Sequence, residues 1–203
     1  NLTLYAIMDR SDVVTVGIDG GGLDDLFGLA VIGRDKETRD WLCWNKAWAH
    51  DDVLERRKDI ASVLHDFERD KDLVICNDAT QDICEAADIV EMLHKAGLLP
   101  HENAVGLDPY GVATLIDELA LRGVDGKLLV SVRQGAALSP ATWGLERKLK
   151  DGTYSDARVL TPLELMILSS LPEKWNVPQD TPEILIRKCL GESVPPLLLK
   201  KVL

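Results

Sequence analysis

Val13-Val14-Thr15-Val16-Gly17-Ile18-Asp19-Gly20-Gly21-Gly22 is a β-branched run that ends on a carboxylate and three glycines. Branched side chains suit a pleated, half-buried strand, and the glycines let the backbone turn sharply without Cβ conflict. Asp19 is therefore expected at a strand tip. A second apolar run ends the same way, at Ala104-Val105-Gly106-Leu107-Asp108-Pro109-Tyr110-Gly111. Two carboxylates at the C-terminal ends of buried strands make an acidic metal site when those strands are neighbours. Other chemistries fit the same turn: its backbone N–H groups can face a phosphate, or it can be a tight hairpin with solvated aspartates. Leu23-Asp24-Asp25-Leu26 brings two more carboxylates against it, which suits a hard cation better than a bare polyphosphate.

Outward from this stretch, period-two and helical patterns alternate. Val13–Asp19, Gly28–Gly33 and Asp40–Trp48 read as three successive strands. Asp51 or Asp52 caps a helix to about Arg69, with Val53, Ile60, Val63, Leu64 and Phe67 on its apolar side. Leu73–Cys76 is a short strand. Asp78 and Asp82 are read as capping residues for a helix ended by Gly97, and His50 as a packing residue at a helix entry. His94 is expected at or near the surface of its helix. Ala104–Leu107 carries Asp108, Val112–Arg122 is a helix closed by Gly123, and Leu128–Val132 is one more strand. Strands first, then alternating helices and strands, is the order of an α/β fold with a mixed sheet.

The 203 residues, 46% of them hydrophobic, suffice for one full core with or without a small appendage. No stretch approaches the roughly 20 apolar residues of a membrane span, and Asn1-Leu2-Thr3-Leu4 lacks a signal pattern, so a cytoplasmic protein with no membrane partner is expected. Cys43, Cys76, Cys84 and Cys189 have no C-x-x-C spacing and read as free thiols. The net charge of −11 is uneven: residues 1–132 carry 13 Lys and Arg against 26 Asp and Glu, whereas 133–203 carry 10 against 8. The acidic part repels phosphates unless cations neutralise it or another face binds them.

The segment from Val13 to Gly33 closely resembles the start of the nuclease domain of tailed-phage terminase large subunits. The likeness continues through Trp41-Leu42-Cys43-Trp44, Ala47-Trp48-Ala49-His50, Val53-Leu54-Glu55-Arg56-Arg57-Lys58, Ala87-Asp88-Ile89-Val90-Glu91 and Gly106-Leu107-Asp108-Pro109-Tyr110-Gly111. The resemblance implies a ribonuclease-H-like mixed sheet flanked by helices over residues 1–149, and metal-dependent cleavage of DNA concatemers. Two Mg²⁺ or Mn²⁺ ions about 4 Å apart need hard oxygen ligands. Asp19 matches the first-strand ligand and Asp108 the acid of a later strand, with Asp24 and Asp25 as further candidates. The partners implied are double-stranded DNA, a terminase motor domain, the small terminase subunit and the portal, in the host cell cytoplasm of a phage or prophage. A third acid normally comes from a helix near the C-terminus. No residue here matches it, and Glu146, Asp151 and Asp156 are the nearby substitutes.

A different pattern occupies residues 150–203. Asp151-Gly152-Thr153-Tyr154-Ser155-Asp156-Ala157, the run from Arg158 to Trp175, and Arg187-Lys188-Cys189-Leu190-Gly191-Glu192-Ser193-Val194-Pro195-Pro196 resemble the C-terminal end of DNA cytosine-5 methyltransferases. That resemblance implies a segment that packs against a methyl-donor pocket through positions matching Gly191, Ser193, Val194 and Pro195, with Glu192 where Asn is commoner. The chain has no Pro-Cys nucleophile pair and no Phe-x-Gly-x-Gly donor loop. Thr161-Pro162 and Thr181-Pro182 are helix starts followed by leucine-rich turns, so the tail is expected as a small helical appendage.

Three functions from different classes follow: a metal-dependent DNA endonuclease short of one acid, a non-catalytic remnant or interaction module that includes a cytosine-5 methyltransferase fragment, and a sugar-kinase-like phosphotransferase using Gly20 to Gly22. The last lacks a second glycine-rich phosphate turn.

Overall fold

A computed structural model describes residues 2–20, 25–58, 60–108, 111–132, 141, 143–144, 147–148, 150 and 154–155. Gly21, Gly22, Asp24, Glu146, Asp151, Asp156 and the expected tail helices lie outside the described residues.

Strand β1 (Ser11–Asp19) buries Val14, Val16 and Ile18 on one side and turns Thr15, Gly17 and Asp19 to the other, the period-two pattern of a pleated strand. It pairs antiparallel with β2 (Phe27–Asp35), which pairs antiparallel with β3 (Trp41–His50). On its other side β1 pairs parallel with β5 (Val105–Leu107). With β4 (Leu73–Cys76) and β6 (Leu129–Ser131) the order is β4-β3-β2-β1-β5-β6, and β7 (Tyr154–Ser155) pairs with the first residues of β3. The sheet is the mixed ribonuclease-H type that the sequence predicts.

Helices α1 (Leu4–Arg10), α4 (Gln81–Lys95) and α5 (Ala113–Leu121) cover one face, sharing a core with Val14, Val16, Ile18, Leu29 and Val31. On the opposite face α2 (Asp51–Arg56) and α3 (Ala61–Arg69) bury Val53, Ile60 and Leu64 only against the β3–β4 end, at Ala49 and Leu73. Burying such aliphatic side chains contributes about 1.5–3 kcal/mol each. Gly97 and Gly123 stop α4 and α5 at φ +68° and +80°, as expected.

Several local expectations are corrected. The single helix over residues 51–69 is two, because Arg56-Arg57-Lys58 offers no apolar side chain to the core and Arg57 leaves helical geometry. Asp51 and Asp52 do not cap. They sit in the first turn of α2, with buried His50 at the N-cap position, the helix-entry place expected of it. Neither Asp78 nor Asp82 caps α4, whose N-cap residue is Thr80. Asp82 is instead buried, its carboxylate 3.0 Å from His50 Nε2. Helix α1 was not foreseen, since seven residues carry too little periodicity to register.

α4 is tied to β3 by part-buried polar contacts. Lys46 Nζ and Trp48 Nε1 donate to Glu85 Oε2 at 2.7 and 2.9 Å, and Gln81 donates to Glu85 Oε1 at 2.9 Å. Burial works against the Glu85 charge, but these three donors outweigh it and hold the carboxyl down at about 2. Asp35, taking N–H bonds from Thr38 and Glu37 and paired with Arg10, is also lowered to about 2.

A folded-state pKa below the unfolded value gives stability that is present above the unfolded pKa and lost as pH falls. Unfolding free energy should therefore drop between pH about 4.5 and about 2, and Glu85→Gln should flatten that slope in acid titrations followed by circular dichroism. A Cβ at Gly33 would meet Ser11 Oγ at 2.1 Å and Ile7 Cγ2 at 2.8 Å. Gly33→Ala should therefore prise α1 from the sheet and cost about 1–3 kcal/mol in urea denaturation, whereas Gly28→Ala, where a Cβ meets nothing within 4 Å, should not destabilise.

Candidate metal centre

The parallel pairing of β1 with β5 sets Gly17 beside Gly106 and Ile18 beside Leu107. The ladder continues one step, with the Asp108 N–H donating to the Ile18 carbonyl at 3.2 Å. Asp19 and Asp108 are therefore the next residues on adjacent strands, side by side at the same end of the sheet. Both line a trough of about 610 Å³ on the face that α2 and α3 leave uncovered.

Register explains its floor. Asp19 pairs with Gly28 and Gly28 with Ala47, while Gly17 pairs with Ala30 and Ala30 with Asn45. Small residues on three strands keep the sheet's backbone open there, and a Cβ added at Gly17 or Gly28 meets nothing within 4 Å. Gly106 has a different reason: a Cβ there would lie 2.9 Å from Val132 Cγ2.

Asp25, the other described candidate, already has partners at the start of β2: its Oδ1 accepts the Leu26 N–H at 2.9 Å and stands 3.7 Å from Arg57 Nη2. Asp24 lies outside the described residues. Among the described residues no three His, Cys, Asp or Glu side chains converge as a metal cage. Asp19 and Asp108 still supply the right donors for a hard cation, being carboxylate oxygens at an open, water-reachable surface.

Two features escaped sequence reasoning. Asn45 faces the trough, legible only once the alternation of β3 is anchored by buried Leu42 and Trp48. The buried His50–Asp82 pair lies on the opposite face, where His50 is also the register partner of Cys76. Burial, then the carboxylates of Asp82 and Glu85, push the Cys76 thiol up to about 12. It stays protonated at neutral pH and is no nucleophile.

Comparison with known proteins gives one likeness of fold and one family. The sheet and helices match the crystal structure of the HK97 bacteriophage large terminase with a TM-score of 0.54 at 19% identity, over 74% of this chain and 32% of that one. At that identity the likeness establishes the ribonuclease-H-like fold and nothing further. The family model for C-5 cytosine-specific DNA methylase matches residues 75–203, and the chain belongs to that family. It is 52% identical over 73 residues to the Type II methyltransferase M1.HgaI of Avibacterium volantium, covering 36% of this chain and 20% of that protein. The chain thus spans about a fifth of the curated relative's length.

The nucleophile for methyl transfer is not matched among the described residues: Cys43, Cys76 and Cys84 each follow an aliphatic residue rather than proline, and burial holds Cys76 as a thiol. No helix among the described residues is long and apolar enough to cross a membrane.

If the trough binds a divalent ion, manganese should raise the melting temperature of the protein, by about 2.7 kcal/mol of stability at a hundredfold excess over Kd. Asp19→Asn and Asp108→Asn should each lose that increment in scanning calorimetry while folding normally without metal.

Proposed function

We propose that this chain is a divalent-metal-dependent DNA endonuclease module, built on the ribonuclease-H-like core and joined to a methylase-family segment. The observation that carries the reading is the placement of Asp19 and Asp108 side by side at the end of an open, glycine-floored trough. Asp19 and Asp108 would hold Mg²⁺ or Mn²⁺ through their carboxylates. When bound, such ions activate a water and stabilise the leaving oxygen of a phosphodiester. The chain's own part is positional. The β1–β5 ladder would set the two carboxylates at the ends of adjacent strands, and the floor at Gly17, Gly28 and Ala30 would let a sugar–phosphate backbone approach the sheet closely. Double-stranded DNA is the substrate proposed. A terminase motor domain, small subunit and portal are the partners proposed from the terminase resemblance.

The methylase family match over residues 75–203 favours a second reading. The chain would be a DNA-associated fragment or interaction module of a methyltransferase, catalytically silent by itself. Both readings place it on DNA, and they part on the chemistry.

Linear duplex incubated with the purified chain decides between them. Nuclease function predicts slow cleavage, faster with manganese than magnesium because manganese accepts imperfect oxygen geometry, abolished by chelator and by Asp19→Asn. Cleavage that survives either treatment overturns the reading, and so does its absence with both metals. Transfer of a labelled methyl group to cytosine by this chain alone would establish the methylase reading instead.

A further inference from the structure

A phosphodiester offers a protein oxygen acceptors and no donor, and an ionised carboxylate likewise only accepts. Asp19 and Asp108 therefore need a cation between them and a DNA strand, and the rest of the strand needs N–H or O–H groups from elsewhere. Of the described residues that line the trough, only Asn45 and Lys46 carry side-chain donors. Lys46 is committed, its Nζ bound to Glu85 Oε2 of α4 at 2.7 Å. Asn45 is exposed, and its carboxamide has no hydrogen-bond partner among the described residues.

Strand formation gives no reason for asparagine at this place. Asparagine is depleted in strands, and Asn45 lies in the middle of the ten-residue β3. Its register partner is Ala30, which pairs in turn with Gly17, so the carboxamide stands beside a floor of small residues. The register also sets its distance from the acids. Asp19 pairs with Gly28 and Gly28 with Ala47, so Asn45 lies two strand spacings across and two residues along from Asp19. At ~4.8 Å per spacing and ~3.4 Å per residue, the Cα–Cα separation is about 12 Å. That is about three or four base pairs of duplex at one phosphate per 3.4 Å of each strand.

We infer that Asn45 is a substrate-binding residue, its carboxamide N–H donating to an oxygen of a backbone phosphate other than the one cleaved at Asp19 and Asp108. The inference rests on the nuclease reading and deepens it, naming the contact that orients the strand over the trough. Neutrality suits the place. An ammonium or guanidinium group at position 45 would oppose the charge of a metal ion at the acid pair, whereas a carboxamide donates to a phosphate without that cost. The flat setting selects a phosphate over a base edge. Base edges lie in grooves about 6–12 Å wide that admit a helix or a two-stranded ribbon, and a side chain in the middle of a wide sheet meets the sugar–phosphate backbone first.

The test is fluorescence anisotropy of labelled DNA with the full chain in calcium, run on an A·T-rich and a G·C-rich duplex across a salt series. Asn45→Ala should weaken binding to both duplexes about tenfold, the scale of one hydrogen bond to a charged group. Its salt slope should match that of the unaltered chain, because no cation is removed. Asn45→Asp, the same shape with a negative charge, should weaken binding further. Asn45→Gln keeps the amide and should bind within about threefold of the unaltered chain. All three variants should melt with the unaltered chain, as befits an exposed side chain. Asn45→Ala protein that binds within about twofold of the unaltered chain overturns the inference. So does a loss confined to one of the two duplexes, which marks base reading, and so does an unaltered chain that binds neither. Manganese cleavage assayed in parallel separates the two claims. Binding that depends on Asn45 without cleavage keeps the phosphate contact and removes the nuclease, whereas cleavage with a KM indifferent to Asn45→Ala does the reverse.

Discussion

The position of β1 between an antiparallel and a parallel neighbour is the constraint on which the rest depends. Side chains alternate with a period of two, so a slip of one residue would turn Asp19 into the helix-packed core and Ile18 out to water. Burial of Val14, Val16 and Ile18 beneath α4 and α5 forbids that slip, because each would exchange an apolar site for solvent. The same alternation places Gly17 beside Gly106 and Gly28 beside Asp19, so hydrophobic burial on one face determines the chemistry available on the other.

The two faces divide their labour. On the helical face, part-buried Glu85 takes three donors, and buried His50 meets buried Asp82 where two parallel strands end. Removing one partner of the buried His50–Asp82 pair leaves the other uncompensated, which costs more than the contact itself contributes. These groups tie α4 to β3. On the open face the small residues forgo packing, and the carboxylates stand at a reachable surface.

Much of this was legible in the sequence because the strands are apolar runs, many of them β-branched, set off by glycines and charges. Val13–Asp19 and Leu73–Cys76 announce themselves by composition, and the glycines after α4 and α5 mark their ends. What stayed hidden depends on tertiary partners. Asp82 looks like a cap until His50 is folded beside it, since capping and burial draw on the same short carboxylate. The break between α2 and α3 was masked because apolar spacing from Val53 to Phe67 resumes on either side of the charged run. Asn45 became a trough residue only through its pairing with Ala30, a long-range fact that periodicity does not contain. The acid pair was visible because each aspartate ends its own apolar run, but that the runs are neighbours is a property of the sheet.

The fold likeness and the family describe different aspects of one chain. Family membership is carried by residues 75–203, from β4 onward, while the terminase likeness is one of architecture. Architecture does not by itself confer activity, so the account stands on the acid pair. The most direct test is a crystal of the full chain grown or soaked with manganese, read by anomalous scattering. The account predicts manganese held by the carboxylates of both Asp19 and Asp108 over the glycine floor. A trough without manganese at saturating concentration, or the two carboxylates directed to opposite faces of the sheet, would contradict it.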